Sequence, residues 1–362
     1  MTMLNGVRVV ETGEGLAAPF AGRMLASLGA TVTRIEEPKG SPLAHAAPGS
    51  VQHALYHYLH EGKDILRPSD PPARAAAELA HAQIWLDSRP FGAIAADAAS
   101  AEHRDGGRWP QLTHVAITPF GLDGPWAGHP GSAFVAASVG GLIYLCGESD
   151  REPLRNGGHL PEFQTGLFAA LGAVAGLFSV ELGQPGRLVD LSLLESVIAF
   201  QERGDLSVTH LGVDIQRSRR HEVTHPFTIL PCKDGFISLA TGTPRQWQNL
   251  CVLMGAPQWA DDPEFLLNRL AHWQEIDEVL VPWLAQYTPM EATRICQEML
   301  IACGPVLTAT ELLYDAHLAE RNFYRSFGYE GQELRVPNLP IRTDGQPLTA
   351  EEPAHAAIGA SS

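Results

Sequence analysis

Positive charge is in short supply in this chain. Its 362 residues carry 25 Lys and Arg against 41 Asp and Glu, a formal charge of -16. Such a balance repels a phosphate backbone unless basic residues cluster. The one basic run is Arg217, Arg219 and Arg220, so no nucleic-acid partner is expected. Cysteine is also scarce. Its five copies (Cys146, Cys232, Cys251, Cys296, Cys303) form no CxxC pair, which excludes a disulfide scaffold and leaves reduced thiols. Long apolar runs are absent as well: the most apolar window, Leu167 to Val180, is about fourteen residues, short of the roughly 20 a bilayer span needs. It reads as a buried helix, with no membrane partner. The first residues, Met1 to Thr12, show no basic stretch followed by an apolar one, so a cytoplasmic location is expected. Three glycine-marked motifs are missing too: there is no GxSxG elbow, no P-loop lysine, and no GxGxxG after the first strand, which disfavours nicotinamide and flavin dinucleotides.

What is present is ordinary globular material, 45% hydrophobic and 18% charged, long enough for two domains. Val7 to Glu11 is a short β-branched run, Ala17 to Leu28 a helical segment ended by Gly29, and Thr31 to Ile35 a second strand. Further strands are predicted at Gln83 to Asp87 and His114 to Ile117, separated by alanine-rich helices at 73 to 82 and 93 to 103. This alternation implies a parallel sheet with helices on its faces, an α/β fold. Helical patterns follow at Phe163 to Leu182 and Leu191 to Glu202. A polar connector then leads to a second unit: a hairpin, Phe227 to Leu230 with Phe236 to Ala240 around Lys233, Asp234 and Gly235, and amphipathic helices near 245 to 254, 271 to 286 and 289 to 302. The tail after Thr349 reads as frayed.

Two histidine patterns invite a metal reading. His221, Glu222, Val223, Thr224, His225 matches HExxH, which needs both histidines on one face of a continuing helix. Pro226 disfavours helical geometry at His225, and Val223 and Thr224 are β-branched, so the context fails. His53, His57 and His60 share a helix face at i, i+4, i+7, but no carboxylate or cysteine joins that pattern, and a partly exposed helix surface is the simpler reading. No metal is expected. Glu162 is more informative. It stands at the mouth of an apolar helix after the run Asn156, Gly157, Gly158, His159, Leu160, Pro161. A first-turn glutamate complements the helix macrodipole, and that alone accounts for it. Equally, helix-start amides beside a glycine-rich loop suit a developing oxyanion, which makes Glu162 a candidate for chemistry.

Several blocks, in order along nearly the whole chain, resemble the class III CoA-transferase family. Leu4 to Glu11, then Ala17, Ala18, Pro19, Phe20, then Leu28 to Glu36 are similar to its first strand, AGP turn and second strand. Gly62 and Lys63 resemble its GK element, and Ile117 to Pro125, ITPFGLDGP, its characteristic glycine loop. Pro153 to Leu177 is similar to the segment bearing the family's nucleophilic aspartate, Gly186 to Glu195 to its "GQ-VDVSL-E" element, and Gly304 to Phe323 to its C-terminal motif.

The resemblance implies a Rossmann-like open sheet in a large domain, residues 1–202 completed by 306–362, a linker at 203–225 and a smaller α+β domain at 226–305. It implies an interlocked homodimer, consistent with a long polar connector strapped around a partner. It implies an enzyme that moves CoA from an acyl-CoA to a carboxylic acid, with CoA entering as substrate. Where the family has its catalytic aspartate this chain has Glu162, a carboxylate one methylene further out, which marks a subgroup. The implied CoA-binding set is Leu16, Ala17, Ala18, Arg34, Lys63, Ser88, Arg89, Pro130, Gly131, Gly157 and Gly158, with the phosphates met by Lys63, Arg34 or Arg89. Departures bear on neighbouring activities. Ser132 and Ala133 replace the histidine element of the racemase branch, and racemisation needs an acid and a base on opposite faces. Glu37 stands for an arginine that helps hold CoA, and Asp87 and Ser88 for an asparagine and phenylalanine. An isomerase or lyase of the same family, or a silent CoA-binding protein, are the alternative readings.

Overall fold

The structure is a computed structural model that describes residues 2–39, 41–99, 109–218, 224–329 and 331–348. Its described residues fall into two compact units, one within 1–144, 155–215 and 316–362, the other within 145–154 and 216–315.

The first unit is built on six strands: β1 (Arg8–Gly13), β2 (Thr31–Ile35), β3 (Lys63–Leu66), β4 (Ile84–Ser88), β5 (Thr113–Thr118) and β6 (Leu188–Ser192). They pair in the order β3-β2-β1-β4-β5-β6, every pairing parallel. Helices make the crossovers, as parallel strands require. They are α1 (Ala17–Ser27), α2 (Val51–His60), α3 (Pro72–Ala80), α4 (Phe91–Ala99), α5 (Ala133–Val139) and α6 (Leu160–Glu181), with α7 (Leu193–Ala199) following β6. The order reverses between β1 and β4. In open α/β sheets the crevice at that switch, beyond the carboxyl ends of the strands, is where ligands bind. The arrangement matches the Rossmann-like expectation, but two strands were not anticipated: β3, hidden in the short polar stretch after Gly62, and β6, whose last residues, Leu191 and Ser192, read as the start of a helix that begins at Leu193.

The core of this unit lies between the sheet and the α1–α6 pair. Val9, Val32, Ile84, Leu86, Val115 and Ile117 from the strands meet Ala18, Ala21 and Leu25 from α1 and Ala169, Ala170 and Ala173 from α6. The small residues let the two helices approach closely: a Cβ on Gly166 would stand 2.8 Å from the Ala17 carbonyl oxygen. At one end of the contact Phe20 and Phe163 stack at 4.3 Å and 10°. This fixes the first turn of α1 beside the first turn of α6.

Helix α6 corrects one expectation. It is 22 residues long, enough by length and composition to cross a membrane, and it is not buried all round. Thr165, Gly166, Ala169, Ala170, Ala173 and Gly176 face the core, while Leu167, Leu171 and Phe178 are exposed. The composition hid this because both faces are apolar, the inner one small and the outer one large. The connector also holds more structure than a linker implies. A short helix, α8 (Glu202–Leu206), runs into a π-helical turn, Ser207–Leu211. The frayed tail after Thr349 lies outside the described residues.

The second unit contains an antiparallel sheet of β7 (Phe227–Pro231), β8 (Phe236–Ala240) and β9 (Ala302–Pro305). Helices α9 (Pro244–Leu253), α10 (Pro263–Leu267), α11 (Trp273–Leu284) and α12 (Pro289–Glu298) cover one face of it, with Ile237, Leu239, Trp247, Leu250, Ile276, Leu280 and Leu284 inside. Thr243 and Thr288 each close a capping box, with Gln246 and Glu291 reaching back to the cap backbone. The cysteines are free thiols, with Cys251 and Cys296 buried.

Candidate active site

Glu162 lies in the first turn of α6, whose N-cap, His159, makes no side-chain capping bond. Uncapped first-turn amides are unsatisfied donors at the positive end of a long helix dipole. Beside them is a cavity of about 210 Å³, lined by Ser132, Phe134, Arg155, Asn156, Gly158, Pro161 and Glu162 among others. The Glu162 side chain is one-fifth exposed, and the His159 ring lies 3.8 Å from its carboxylate. No Lys or Arg pairs with it among the described residues. Gly158 has a left-handed backbone (φ 67°), and Gly157 precedes it in the same loop. Ser132 caps α5 by accepting a hydrogen bond from Val135 N. Pro130 and Gly131 lead into that cap, and a Cβ on Gly131 would press on Pro119 and the Phe120 ring. The loop from β5 is tied down in turn: Gly121 N donates to Thr118 Oγ1 at 2.8 Å and Leu122 N to the Asp190 carboxylate at 3.0 Å. Burial raises the Asp190 pKa, with the Leu122 amide working against it.

The switch crevice holds a second group of expected residues. Gly13 ends β1 at φ 93°, and a Cβ there would stand 2.2 Å from the Ser88 carbonyl carbon, so only glycine lets the two strand ends close up. Ser88 Oγ then donates to Glu14 O at 2.6 Å. Leu16, Ala17 and Ala18 follow at the start of α1, all buried. Arg89 is bound to Asp87 through Nε and Nη2 at 2.9 and 2.8 Å and also meets Asp97. Asp87 is buried, which by itself raises its pKa. Hydrogen bonds from Arg89 and His114 outweigh that and bring it down to about 2. Thr12 Oγ1 donates to the same carboxylate at 3.0 Å, and the Trp85 indole NH donates to Thr12.

A family model described as CoA-transferase family III matches residues 4–361. The chain belongs to that family. Curated relatives agree along the full length. Succinate--glutarate CoA-transferase of Agrobacterium fabrum is 26% identical over 368 residues, covering 97% of this chain and 92% of its own. Succinyl-CoA--D-citramalate CoA-transferase of Chloroflexus aurantiacus is 28% identical over 359 residues, 95% of this chain and 88% of its own. Among solved structures, a CAIB/BAIF family protein from Brucella suis superposes with a TM-score of 0.80 at 25% identity, covering 97% of this chain and 96% of that one.

As a class III CoA-transferase the protein handles CoA thioesters, and two of the cations assigned to the phosphates are engaged inside the protein. Lys63 is completely buried. Its Nζ donates to Glu11 Oε2 at 2.6 Å and to Pro19 O at 2.8 Å. Arg34 is buried too, donating to Glu11 Oε1 at 2.7 Å and to Gly13 O at 3.0 Å. Buried and already neutralised, neither side chain reaches a phosphate outside the protein; they brace the loop after β1 instead. Burial raises the pKa of Glu11, but Lys63, His60 and Arg34 prevail and hold it well below the usual carboxylate range. Burial drives Lys63 down to about 8 and His60 down to about 4, each against the pull of Glu11. Of the three phosphate candidates only Arg89 keeps part of its side chain exposed, about a quarter, and that guanidinium is already held by two carboxylates.

The histidine patterns also resolve into ordinary contacts. His60 is buried, with Nδ1 against Tyr56 O at 2.7 Å, and so is no exposed helix surface. His53 meets the Tyr329 hydroxyl. Of the HExxH pattern, His221, Glu222 and Val223 lie outside the described residues; His225 Nε2 meets Asp277 Oδ1 at 2.8 Å. Glu11 and Arg155 went unnoticed as functional or supporting groups. A glutamate inside a Val-rich strand is a signal, since a buried charge demands a partner.

Proposed function

We propose that Glu162 is the nucleophile of a CoA transfer between two carboxylic acids. The observation that carries this reading is a carboxylate unpaired by Lys or Arg on a cavity wall at an uncapped helix start. A Glu162 oxygen attacks the donor's thioester carbonyl, the C–S bond breaks, and CoA thiolate leaves a glutamyl-acyl anhydride. The thiolate then attacks the Glu162 γ-carbonyl, releasing the donor acid and forming an enzyme-CoA thioester. The acceptor carboxylate repeats these two steps in reverse order, yielding a new acyl-CoA and free Glu162. Carboxylates and thiolate carry every bond change, so the cycle balances without a metal or a redox cofactor. The α6 amides and the Gly157-Gly158 loop supply dipoles for the oxyanion. Glutamate in place of the family's aspartate fits a subgroup that works one methylene further from the helix.

For the CoA body, the switch crevice with Leu16, Ala17, Ala18, Ser88 and Arg89 is the natural seat, its first turn held beside Glu162 by the Phe20–Phe163 stack. Succinyl-CoA occurs in the names of the Chloroflexus relatives, so a thioester of a diacid is the first donor to try. An acyl-CoA pool as substrate fits the cytoplasmic location expected from the sequence. Glu162→Gln keeps size and removes the nucleophilic charge. Transfer between a donor and an acceptor acid should fall by about 10⁴ or more, with CoA affinity unchanged. A variant that transfers at the wild-type rate leaves Glu162 a helix-start residue only.

The working unit in this reading is a homodimer. Phe134 on α5, Leu171 and Phe178 on α6, and Phe200, Leu206 and Leu211 beyond α7 are exposed large apolar side chains that a monomer would leave wet. Light scattering should give twice the 39.1 kDa chain mass; a monomer at micromolar concentration contradicts it.

A further inference from the structure

Two opposite charges share the cavity at Glu162 without touching. Arg155 lines it from the loop that leads into α6, and it forms no ion pair with Glu162 or with any other carboxylate among the described residues. Its guanidinium carbon lies 5.8 Å from the centre of the Phe134 ring, at the outer limit of a cation–π contact. The contrast with the other cations beside the sheet is plain: Lys63, Arg34 and Arg89 are each bound to buried carboxylates. Among the described lining residues Arg155 is the one cation and Glu162 the one carboxylate. The Ser132 hydroxyl is already engaged in capping α5. In a chain with an excess of acidic groups, an exposed guanidinium on the wall of a small cavity, with no carboxylate partner among the described residues, is free to meet an anion that enters.

Resting on the reading of Glu162 as nucleophile, we infer that Arg155 binds the distal carboxylate of a dicarboxylic acyl group, and so selects thioesters of short diacids over those of monocarboxylic acids. With the thioester carbon at Glu162, the far end of a short acyl chain lies within the same cavity as the guanidinium. A guanidinium pairs a carboxylate bidentately, which fixes orientation as well as charge. A monocarboxylic acyl group of equal length would place a methyl against an unpaired cation. Sites that hydrogen-bond a substrate group reject analogues lacking it far more strongly than apolar pockets do.

The test uses the first half-reaction, so that the acceptor acid plays no part. The full-length protein is mixed with succinyl-CoA or with butyryl-CoA, its monocarboxylic counterpart, and loading of CoA onto Glu162 is followed by mass spectrometry. Wild type should load from succinyl-CoA about 100-fold faster or more, in terms of rate over Kd. Arg155→Gln should lose that advantage while its butyryl-CoA rate stays within about threefold, and Arg155→Lys should recover only part of it. Equal loading of wild type by both donors overturns the assignment of Arg155. So does an equal loss with both donors in Arg155→Gln, which would place the guanidinium on CoA itself. No loading from either donor refutes the nucleophile reading, and this proposal with it.

Discussion

Glu11 and Glu162 are the same side chain in opposite circumstances. Glu11 is sealed in the sheet with Lys63 and Arg34 on its two oxygens and His60 at 3.6 Å. Glu162 stands at a helix start on a cavity wall with no Lys or Arg paired to it among the described residues. A carboxylate whose bonds are all taken is held too firmly to attack anything, and its worth is structural. One with open lone pairs beside unsatisfied amides can react. The comparison also sorts the cations: Lys63, Arg34 and Arg89 are bound to buried carboxylates, and Arg155, which lines the cavity at Glu162, is the one proposed to meet a ligand.

The contrast is broken most directly by removing one partner from each site. Lys63→Met strips a cation from a buried pair, and such losses cost about 3 to 5 kcal/mol. Arg34 stays on Glu11, so about 3 kcal/mol in urea unfolding is expected, with CoA affinity of the folded protein unchanged. A loss of CoA affinity with stability intact would return Lys63 to the phosphate. A smaller effect belongs to Asp87, whose folded pKa of about 2 lies below its unfolded value. A depressed carboxylate stabilises above the unfolded pKa, so the contribution is present at neutral pH and fades as pH falls from about 5 toward 2. Urea unfolding should lose roughly 2 kcal/mol over that range, and Asp87→Asn should flatten the slope. An unchanged slope would show that Asp87 does not carry it. The smallest effect sharpens the comparison: Glu162→Gln should shift stability by no more than about 0.5 kcal/mol, as partly exposed positions without a Lys or Arg partner do.

Much of this was legible before any coordinates. Strand and helix periodicity gave the parallel sheet, the hairpin and the amphipathic helices of the second unit, because burial on one face imprints a period on the chain. Glu162 stood out by its place after a glycine run. The blind spots share one cause, long-range pairing. Lys63 and Arg34 look like surface cations until β1, β2 and β3 are laid side by side, when Glu11 falls directly opposite Arg34 in register. The four-residue β3 is too short to show a period. Arg155 gave no signal, since an open cation and a paired one read alike in sequence. The outer face of α6 was misread because Leu171 and Phe178 are as apolar as any core residue, and only packing tells which side is covered.

The central claim is that Glu162 carries CoA during turnover. Incubating the protein with succinyl-CoA, digesting it, and weighing the peptide that spans residues 157–163 tests it directly. The account predicts a peptide heavier by one CoA less water, linked through the Glu162 γ-carbonyl, released by hydroxylamine and absent from Glu162→Gln. CoA found on another residue, or an unmodified peptide from a preparation that is actively transferring CoA, would contradict it.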